Sequence, residues 1–410
     1  MAISKYSARA TRMTKHFTSS SPAGFEMTLA QTRGLTAAGL AIVAVTYGLA
    51  RYCFGLFLPE IRQEFALSPE TVGLIAGLSY LGYLAATFVG SWLSTVFEPR
   101  LPILLGGLAA TTGMAMIALA QTPFILALGV FVAGASPGLS YPPFSDVIVR
   151  HTELSRQNSV YAWINSGTGF GVAFAGPLAL FAGGDWRLAW LVFAVIAFSV
   201  TIWNAATLPR RSVHLEHARP RVSVWILMDR TARGLFVAAF LFGIVTAVYW
   251  TYAVELLTML TGNPRDAILF WIVLGISGVT GCFAGGLVDR WGLQAAYRVL
   301  AVLVGTAIGT LPLLVETRLG IYVSAACFGV GFIVMTALFG MWSMRLFRQA
   351  PSIGFGFTFF LISLGQGVGP VLSGFLIPVV GHSALFFAAG LLCCGLAGFA
   401  AGKQTEGVRP

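Results

Sequence analysis

Three ionisable side chains lie inside long apolar stretches of the 410-residue sequence: Arg51, Asp146 and Glu255. A charge in lipid costs roughly 2.5–3.5 kcal/mol on insertion scales, so we expect each side chain to face protein or water and to serve a function. Tyr47 precedes Arg51 by one helical turn, and Tyr52 follows it directly. A guanidinium among aromatic rings suits recognition of a carboxylate or phosphate. An ion pair that ties two helices together would use the same residue.

The other two charges have simpler surroundings. Tyr249, Tyr252 and Glu255 are three residues apart and so share roughly one helix face, which is typical of a cavity wall with a titratable end. Glu255 is therefore the expected counter-ion of Arg51, although an acid near the end of an apolar stretch also suits the membrane surface. Asp146 precedes Arg150 by four residues, a spacing that favours an ion pair within one helix.

The composition decides the class of protein that must position these charges. Of the residues, 57% are hydrophobic and 10% are charged, and the mean hydropathy is +0.82. Soluble domains contain about 25% charged residues, so a soluble enzyme, a disordered chain and a secreted disulfide scaffold are excluded. The five cysteines lie in apolar runs without metal-ligand spacing, and no nucleotide-binding loop or catalytic triad is present. We expect no metal, no cofactor and no enzymatic activity.

The hydropathy pattern predicts an all-α integral membrane protein with twelve transmembrane helices. Each needs about 20 apolar residues. With the N-terminus in the cytoplasm, 20 of the 25 Lys and Arg residues lie on the cytoplasmic side, four lie outside and Arg51 lies within a span. This bias predicts cytoplasmic termini, in a bacterial inner membrane. The predicted spans are 35–58, 70–93, 101–120, 123–146, 159–182, 187–208, 234–257, 267–288, 295–315, 319–343, 353–378 and 383–401.

An internal repeat divides the chain into halves. Gly176 and Pro177 in span five correspond to Gly369 and Pro370 in span eleven, at an offset of 193 residues. A duplicated six-helix unit gives a pseudo-symmetric protein with a cavity between its halves. The predicted order is a disordered basic tail (1–33), an N-terminal six-helix bundle (34–208), a cytoplasmic linker (209–233), a C-terminal six-helix bundle (234–402) and a cytoplasmic tail (403–410).

Three motifs resemble those of the major facilitator superfamily of secondary transporters. The run from Gly285 to Gly292, with Asp289 and Arg290 in it, is similar to the signature loop G-x-x-x-D-R-x-G; the first copy of this loop has Ser94 in place of the aspartate. Trp186 and Arg187 resemble the W-R motif before span six. The glycine and proline residues of span eleven resemble the G-x-x-x-G-P element of drug antiporters.

The resemblance implies two pseudo-symmetric six-helix bundles that move a small solute by alternating access. We expect the lipid bilayer and protons as further partners, with uniport as the alternative to proton coupling. We also expect a monomer that binds no nucleic acid. A transport-silent receptor or scaffold and a drug or metabolite efflux antiporter remain alternatives. Glu255 is the candidate for proton coupling. The candidate substrate-binding residues are Arg51, Tyr47, Tyr52, Tyr141, Asn165, Tyr249, Trp250, Tyr252 and Gln366; the expected cytoplasmic gate is Asp289, Arg290, Arg150, Arg156 and Asp146; and the expected hinge or packing residues are Gly176, Pro177, Gly365, Gly369 and Pro370.

Overall fold

The computed structural model describes residues 28–209, 232–280, 284–347 and 351–399, without a few side chains in these ranges. Most of the predicted N-terminal tail and linker, and the whole predicted C-terminal tail, lie outside the described residues. So does the side chain of Asp289. In the described ranges the chain is helical and has no strand. The predicted all-α membrane fold is confirmed.

This part of the chain contains eleven long helices, one short α-helix and two single 3₁₀ turns, at Gly55–Phe57 and Leu396–Gly398. Helix α1 is continued by a π-helix, and the short helix lies between α1 and α2. The bounds are α1 Leu29–Val43 with the π-helix Ala44–Tyr52, the short helix Leu58–Phe65, α2 Pro69–Val96, α3 Arg100–Ala118, α4 Pro123–His151, α5 Leu154–Phe181, α6 Trp186–Thr207, α7 Arg233–Thr261, α8 Pro264–Val279, α9 Ala284–Leu314, α10 Arg318–Leu346 and α11 Pro351–Gly395.

Ten helical stretches of the described chain are long and apolar enough to cross a membrane. Helix α8 has 16 residues, fewer than the about 20 that a helix needs to cross the hydrocarbon core of a membrane. Helix α11 has 45 residues and covers predicted spans eleven and twelve, with a break at Gly381 (φ 79°). A left-handed backbone conformation of this kind costs glycine little, which explains how one residue serves as the turn.

Some predicted boundaries are wrong for local reasons. Helix α1 begins at Leu29 rather than at residue 35, because Thr28 and Gln31 form a capping box at 2.9 and 3.3 Å. The loop expected after span eight is helical from Ala284, and its bend is at Gly292 (φ 75°). The hydropathy of span one does not reveal its π-helical second half, in which the hydrogen bonds skip one residue more than in an α-helix.

The helices pack as two groups. Helices α1 to α6 pack mainly among themselves, as do α7 to α11, and the main contacts between the groups are α2 with α11 and α5 with α8. We call these groups the N-half and the C-half. The end where α1 and α7 begin is the terminal end, and the opposite one is the far end. Gly374 packs on Pro69 at the far end, whereas Leu396 accepts a hydrogen bond from Tyr297 at the terminal end. The chain therefore reverses at Gly381.

Candidate functional site

A cavity of about 800 Å³ lies between the halves and opens at the terminal end. Phe88 and Ser91, near the end of α2, are exposed in its mouth, whereas Arg51 and Gln366 lie buried at its closed end. The two walls differ in chemistry. The N-half contributes Arg51, Tyr47, Tyr52, Tyr83, Tyr141 and Asn165, whereas the C-half contributes Phe332, Phe355, Phe357, Phe359, Phe360 and Gln366.

Arg51 is surrounded by tyrosine rings. Its Cζ atom lies 4.0 Å from the ring centre of Tyr83, 4.8 Å from that of Tyr80, and 5.5 Å from those of Tyr47 and Tyr52. At these distances a guanidinium is attracted to the negative face of the ring, an effect that reaches about 2 kcal/mol at desolvated sites. The tyrosines therefore hold a charge that is only 5% exposed.

Arg51 has N–H groups that donate no hydrogen bond to the described protein. One Nη donates to the Gln366 side chain at 3.1 Å, but Nε is buried and has no hydrogen-bond partner in the described protein. The Nε2 amide nitrogen of Gln366 is also buried and has no hydrogen-bond partner in the described protein. No carboxylate among the described residues forms an ion pair with Arg51. The cluster thus presents a positive charge and unused N–H groups, which suit a carboxylate or phosphate oxygen.

The π-helix is the element that presents Arg51 to the cavity. It runs from Ala44 to Tyr52 and carries both Tyr47 and Arg51. Gly48 lies on the opposite side of this segment, against Gly171 of α5, and a Cβ atom at either glycine would overlap the other backbone. This close approach of backbones fixes the position of α1, as small residues do in membrane helix pairs.

The predicted binding residues fall into two groups. Arg51, Tyr47, Tyr52, Tyr141, Asn165 and Gln366 line the cavity together. Tyr249, Trp250 and Tyr252 are buried and do not line the cavity. Tyr249 is bonded to Ser324 at 2.7 Å, Tyr252 donates to the Pro370 carbonyl at 3.0 Å, and Trp250 stacks on Tyr52 with ring centres 4.3 Å apart. Trp250 therefore supports the cavity wall from behind.

The structure does not bring Glu255 to Arg51. Glu255 forms a salt bridge with Arg62, at the far end, and its second oxygen lies 3.3 Å from Nε2 of His382. Arg62 belongs to the N-half, whereas Glu255 and His382 belong to the C-half. The pairing with Arg51 that we expected from the sequence is wrong in this conformation, because the short helix Leu58–Phe65 brings a nearer cation to the carboxylate.

Sequence reasoning missed three features of these sites. The run from Phe355 to Phe360 contains four phenylalanines, a signal in the sequence that could have indicated an aromatic wall. The other two are Arg62 and His382, the partners of Glu255. Neither residue lies near Glu255 in sequence, so no spacing rule indicated the contact.

The predicted gate lies at the terminal end. Asp146 accepts a hydrogen bond from Ser94 at 2.6 Å, and Arg156 is paired with Glu153 at 3.5 Å. Arg290 is exposed. Because the Asp289 side chain lies outside the described residues, the gate remains a prediction.

The predicted hinge residues lie at tight helix contacts. A Cβ atom at Gly365 would overlap the carbonyl of Phe240, and one at Gly369 would lie against Ile244, both in α7. Gly176 faces Ile272 of α8, and Pro177 and Pro370 lie inside α5 and α11. The packing role fits these contacts, whereas the hinge role stays a prediction.

Comparisons with known proteins agree with this architecture. A family model described as the Major Facilitator Superfamily matches residues 40–370. The chain is 26% identical to monocarboxylate transporter 11 of Mus musculus over 88% of this chain and 83% of the relative. It is 24% identical to a hexuronate transporter of Bacillus subtilis over 90% and 93% of the two chains.

Solved structures share the fold at low sequence identity. The crystal structure of the nucleoside transporter NupG has a TM-score of 0.71 and 11% identity, and covers 90% of this chain and 97% of its own. A POT family transporter in complex with a peptide conjugate has a TM-score of 0.74 and 12% identity, over 89% and 94% of the two chains. On the family match across most of its length, the chain belongs to the Major Facilitator Superfamily and is a secondary transporter of the membrane.

Proposed function

We propose that this transporter carries a small organic anion, by alternating access and with coupling to protons. The observation that carries the proposal is the Arg51 cluster. Its guanidinium is buried at the closed end of the cavity, and its described partners, four tyrosine rings and Gln366, are all neutral. A carboxylate at this position would accept charge-assisted hydrogen bonds and balance the buried charge.

The opposite wall indicates the rest of the substrate. The C-half wall contains five phenylalanines, and its hydrogen-bonding side chains in the described lining are three: Phe332, Phe355, Phe357, Phe359 and Phe360, against Thr336, Ser363 and Gln366. A solute with a carboxylate at one end and an apolar body at the other would satisfy both walls. The names of the relatives denote monocarboxylates and hexuronates, both organic acids, and the phenylalanine wall favours the less hydroxylated kind.

Alternating access is supported by the difference between the two ends of the molecule. The cavity opens at the terminal end, whereas the salt bridge of Arg62 with Glu255 and the contact of Gly55 with the Trp250 carbonyl join the halves at the far end. The distribution of Lys and Arg supports a cytoplasmic position for the terminal end. We therefore interpret the conformation as open to the inside. Since one chain supplies both walls, we propose that the working unit is a monomer.

Proton coupling is proposed at the far end rather than at the binding site. Protonation of Glu255 would remove the negative charge that holds Arg62, and so would weaken the contact that closes this end. A crevice of about 350 Å³, lined by Arg62 and Glu255, connects the pair with the far-side solution. Protons from that side can therefore reach the carboxylate without passing through the cavity.

Uptake into proteoliposomes tests the proposal. A panel of radiolabelled organic acids is offered to the purified full chain, to the Arg51→Lys variant and to a matched Arg318→Lys control at the far end. We expect saturable flux of an acid by the wild type and the control, stimulated by a proton gradient, and loss of most of it in Arg51→Lys, which keeps the charge but not the planar fork. Normal flux in Arg51→Lys, or binding of acids without flux in the wild type, would overturn the proposal.

A further inference from the structure

A second basic depression lies away from the central cavity. It has a volume of about 610 Å³ and is found at the terminal end of the C-half, where α9 bends at Gly292 and α10 ends. Its lining includes Trp291, Gln294, Arg298 and Arg345. None of these side chains lines the central cavity, so the transport site does not explain the depression.

The charge of the depression is positive, and no carboxylate that the structure describes balances it. Arg298 and Arg345 are both exposed, and in the ranges that the structure describes neither forms an ion pair. Among the side chains that the structure describes, the lining contains no carboxylate. Two guanidinium groups around one depression repel each other unless an anion lies between them, and the planar fork of arginine matches phosphate oxygens bidentately.

The position of the depression relates it to the bilayer. Trp291 is 53% exposed, as is common for tryptophan at a membrane surface. Val299 and Val302 are 48% and 46% exposed and continue the same face of α9 away from the depression, towards the middle of the helix. An apolar strip on the outside of a membrane helix faces lipid tails. Hence a ligand here meets phosphate-binding groups at one end and an apolar surface at the other.

We propose that this depression binds the headgroup phosphate of an anionic phospholipid, between Arg298 and Arg345, with an acyl chain along Val299 and Val302. Charge complementarity selects this ligand, because basic pockets at the ends of membrane helices attract anionic headgroups. The site lies wholly within the C-half, on α9 and α10, so lipid binding would stabilise this bundle without touching the substrate.

The thermal unfolding midpoint of the full chain in a non-ionic detergent tests this site without any transport substrate. The probes are short-chain phosphatidylglycerol, phosphatidylcholine with the same chains, and inorganic phosphate. The variants are Arg298→Gln, Arg345→Gln and their double variant, with Arg265→Gln as a control that removes an exposed arginine at the far end. Each variant is first measured without lipid to establish that it is folded.

We expect phosphatidylglycerol to raise the midpoint of the wild type and of Arg265→Gln more than phosphatidylcholine does. Each arginine contributes about fivefold to lipid affinity, so the double variant should bind about 30-fold more weakly than the wild type. An equal response to both lipids, an undiminished response of the folded variants, or an equal effect of inorganic phosphate would overturn the proposal. If the double variant does not fold, the single variants decide in the same way.

Discussion

Arg51 and Glu255 are both buried charges inside the protein, but they have opposite surroundings. Arg51 is 5% exposed and contacts neutral groups, whereas Glu255 is 4% exposed and contacts Arg62 and His382. A buried charge is tolerated when it is paired, and removing one partner of a buried pair costs about 3–5 kcal/mol. From this difference we propose two roles. Glu255 has its partner in the protein and joins the halves, whereas Arg51 binds a partner that the substrate supplies.

The largest expected effect is that of Arg51→Ala. Truncating one member of a buried, hydrogen-bonded charge pair costs about 2–5 kcal/mol, so affinity for the anionic substrate should fall at least about 30-fold. Titration of the purified variant with the substrate, monitored by tryptophan fluorescence, measures the loss of affinity. Arg318→Ala is the control. Unchanged affinity in Arg51→Ala would show that Arg51 does not bind the substrate, and the proposed difference in role between Arg51 and Glu255 would be wrong.

Glu255→Gln should instead change which end of the protein is open. The variant keeps the shape of the side chain but loses the charge that holds Arg62, so the far end should open in a larger fraction of molecules. Electron–electron distances between spin labels at positions 63 and 259, on opposite halves, report the opening in a background without native cysteines.

Asp266→Asn provides the matched control for that experiment. Asp266 pairs with Arg318 at 3.2 Å, but both residues belong to the C-half, so loss of this pair should leave the label distance unchanged. If Glu255→Gln and Asp266→Asn give the same distance distribution, the salt bridge of Glu255 does not control the far end.

Two substitutions of Tyr83 should have smaller effects on substrate affinity. Together they distinguish the contribution of the tyrosine rings around Arg51 from that of the hydroxyl groups. Tyr83→Leu removes the ring whose centre lies 4.0 Å from the guanidinium, and with it about 2 kcal/mol of attraction at a desolvated site. Tyr83→Phe keeps the ring and loses only the hydrogen bond with the Tyr47 hydroxyl at 3.2 Å, worth about 1 kcal/mol. Substrate affinity should therefore fall more in Tyr83→Leu. The reverse order would show that the hydroxyl network, and not the rings, holds Arg51.

The smallest effect is expected at an exposed pair. Arg187 donates to Glu64 at 2.5 Å and, with help from Trp186, keeps the pKa of Glu64 below its usual value. The pair therefore stabilises the protein above the ordinary pKa of a glutamate and loses this contribution as the pH falls through the lowered value. Exposed pairs contribute about 0–1 kcal/mol. Unfolding midpoints of Glu64→Gln and the wild type should differ slightly at neutral pH and converge in acid; a gap that widens in acid would contradict this.

The sequence predicted the membrane fold and the cavity charge for clear physical reasons. Long apolar stretches can only cross lipid as helices, and a buried arginine must face the interior, so hydropathy alone led to Arg51. The partners of Glu255 were not predictable in this way. Arg62 and His382 are 193 and 127 residues away from it, and only the packing of the two halves brings them together. The π-helix around Arg51 was also missed, because hydropathy does not distinguish helix types.

Binding of an acid and its neutral amide tests the central claim, that Arg51 binds the charge of the substrate, most directly. An acid that the transporter accepts and the corresponding amide have nearly the same shape but differ by one charge. We predict that the wild type binds the acid and binds the amide at least about 30-fold more weakly, and that Arg51→Gln abolishes this preference. Equal binding of acid and amide by the wild type, or an undiminished preference in Arg51→Gln, would contradict the account.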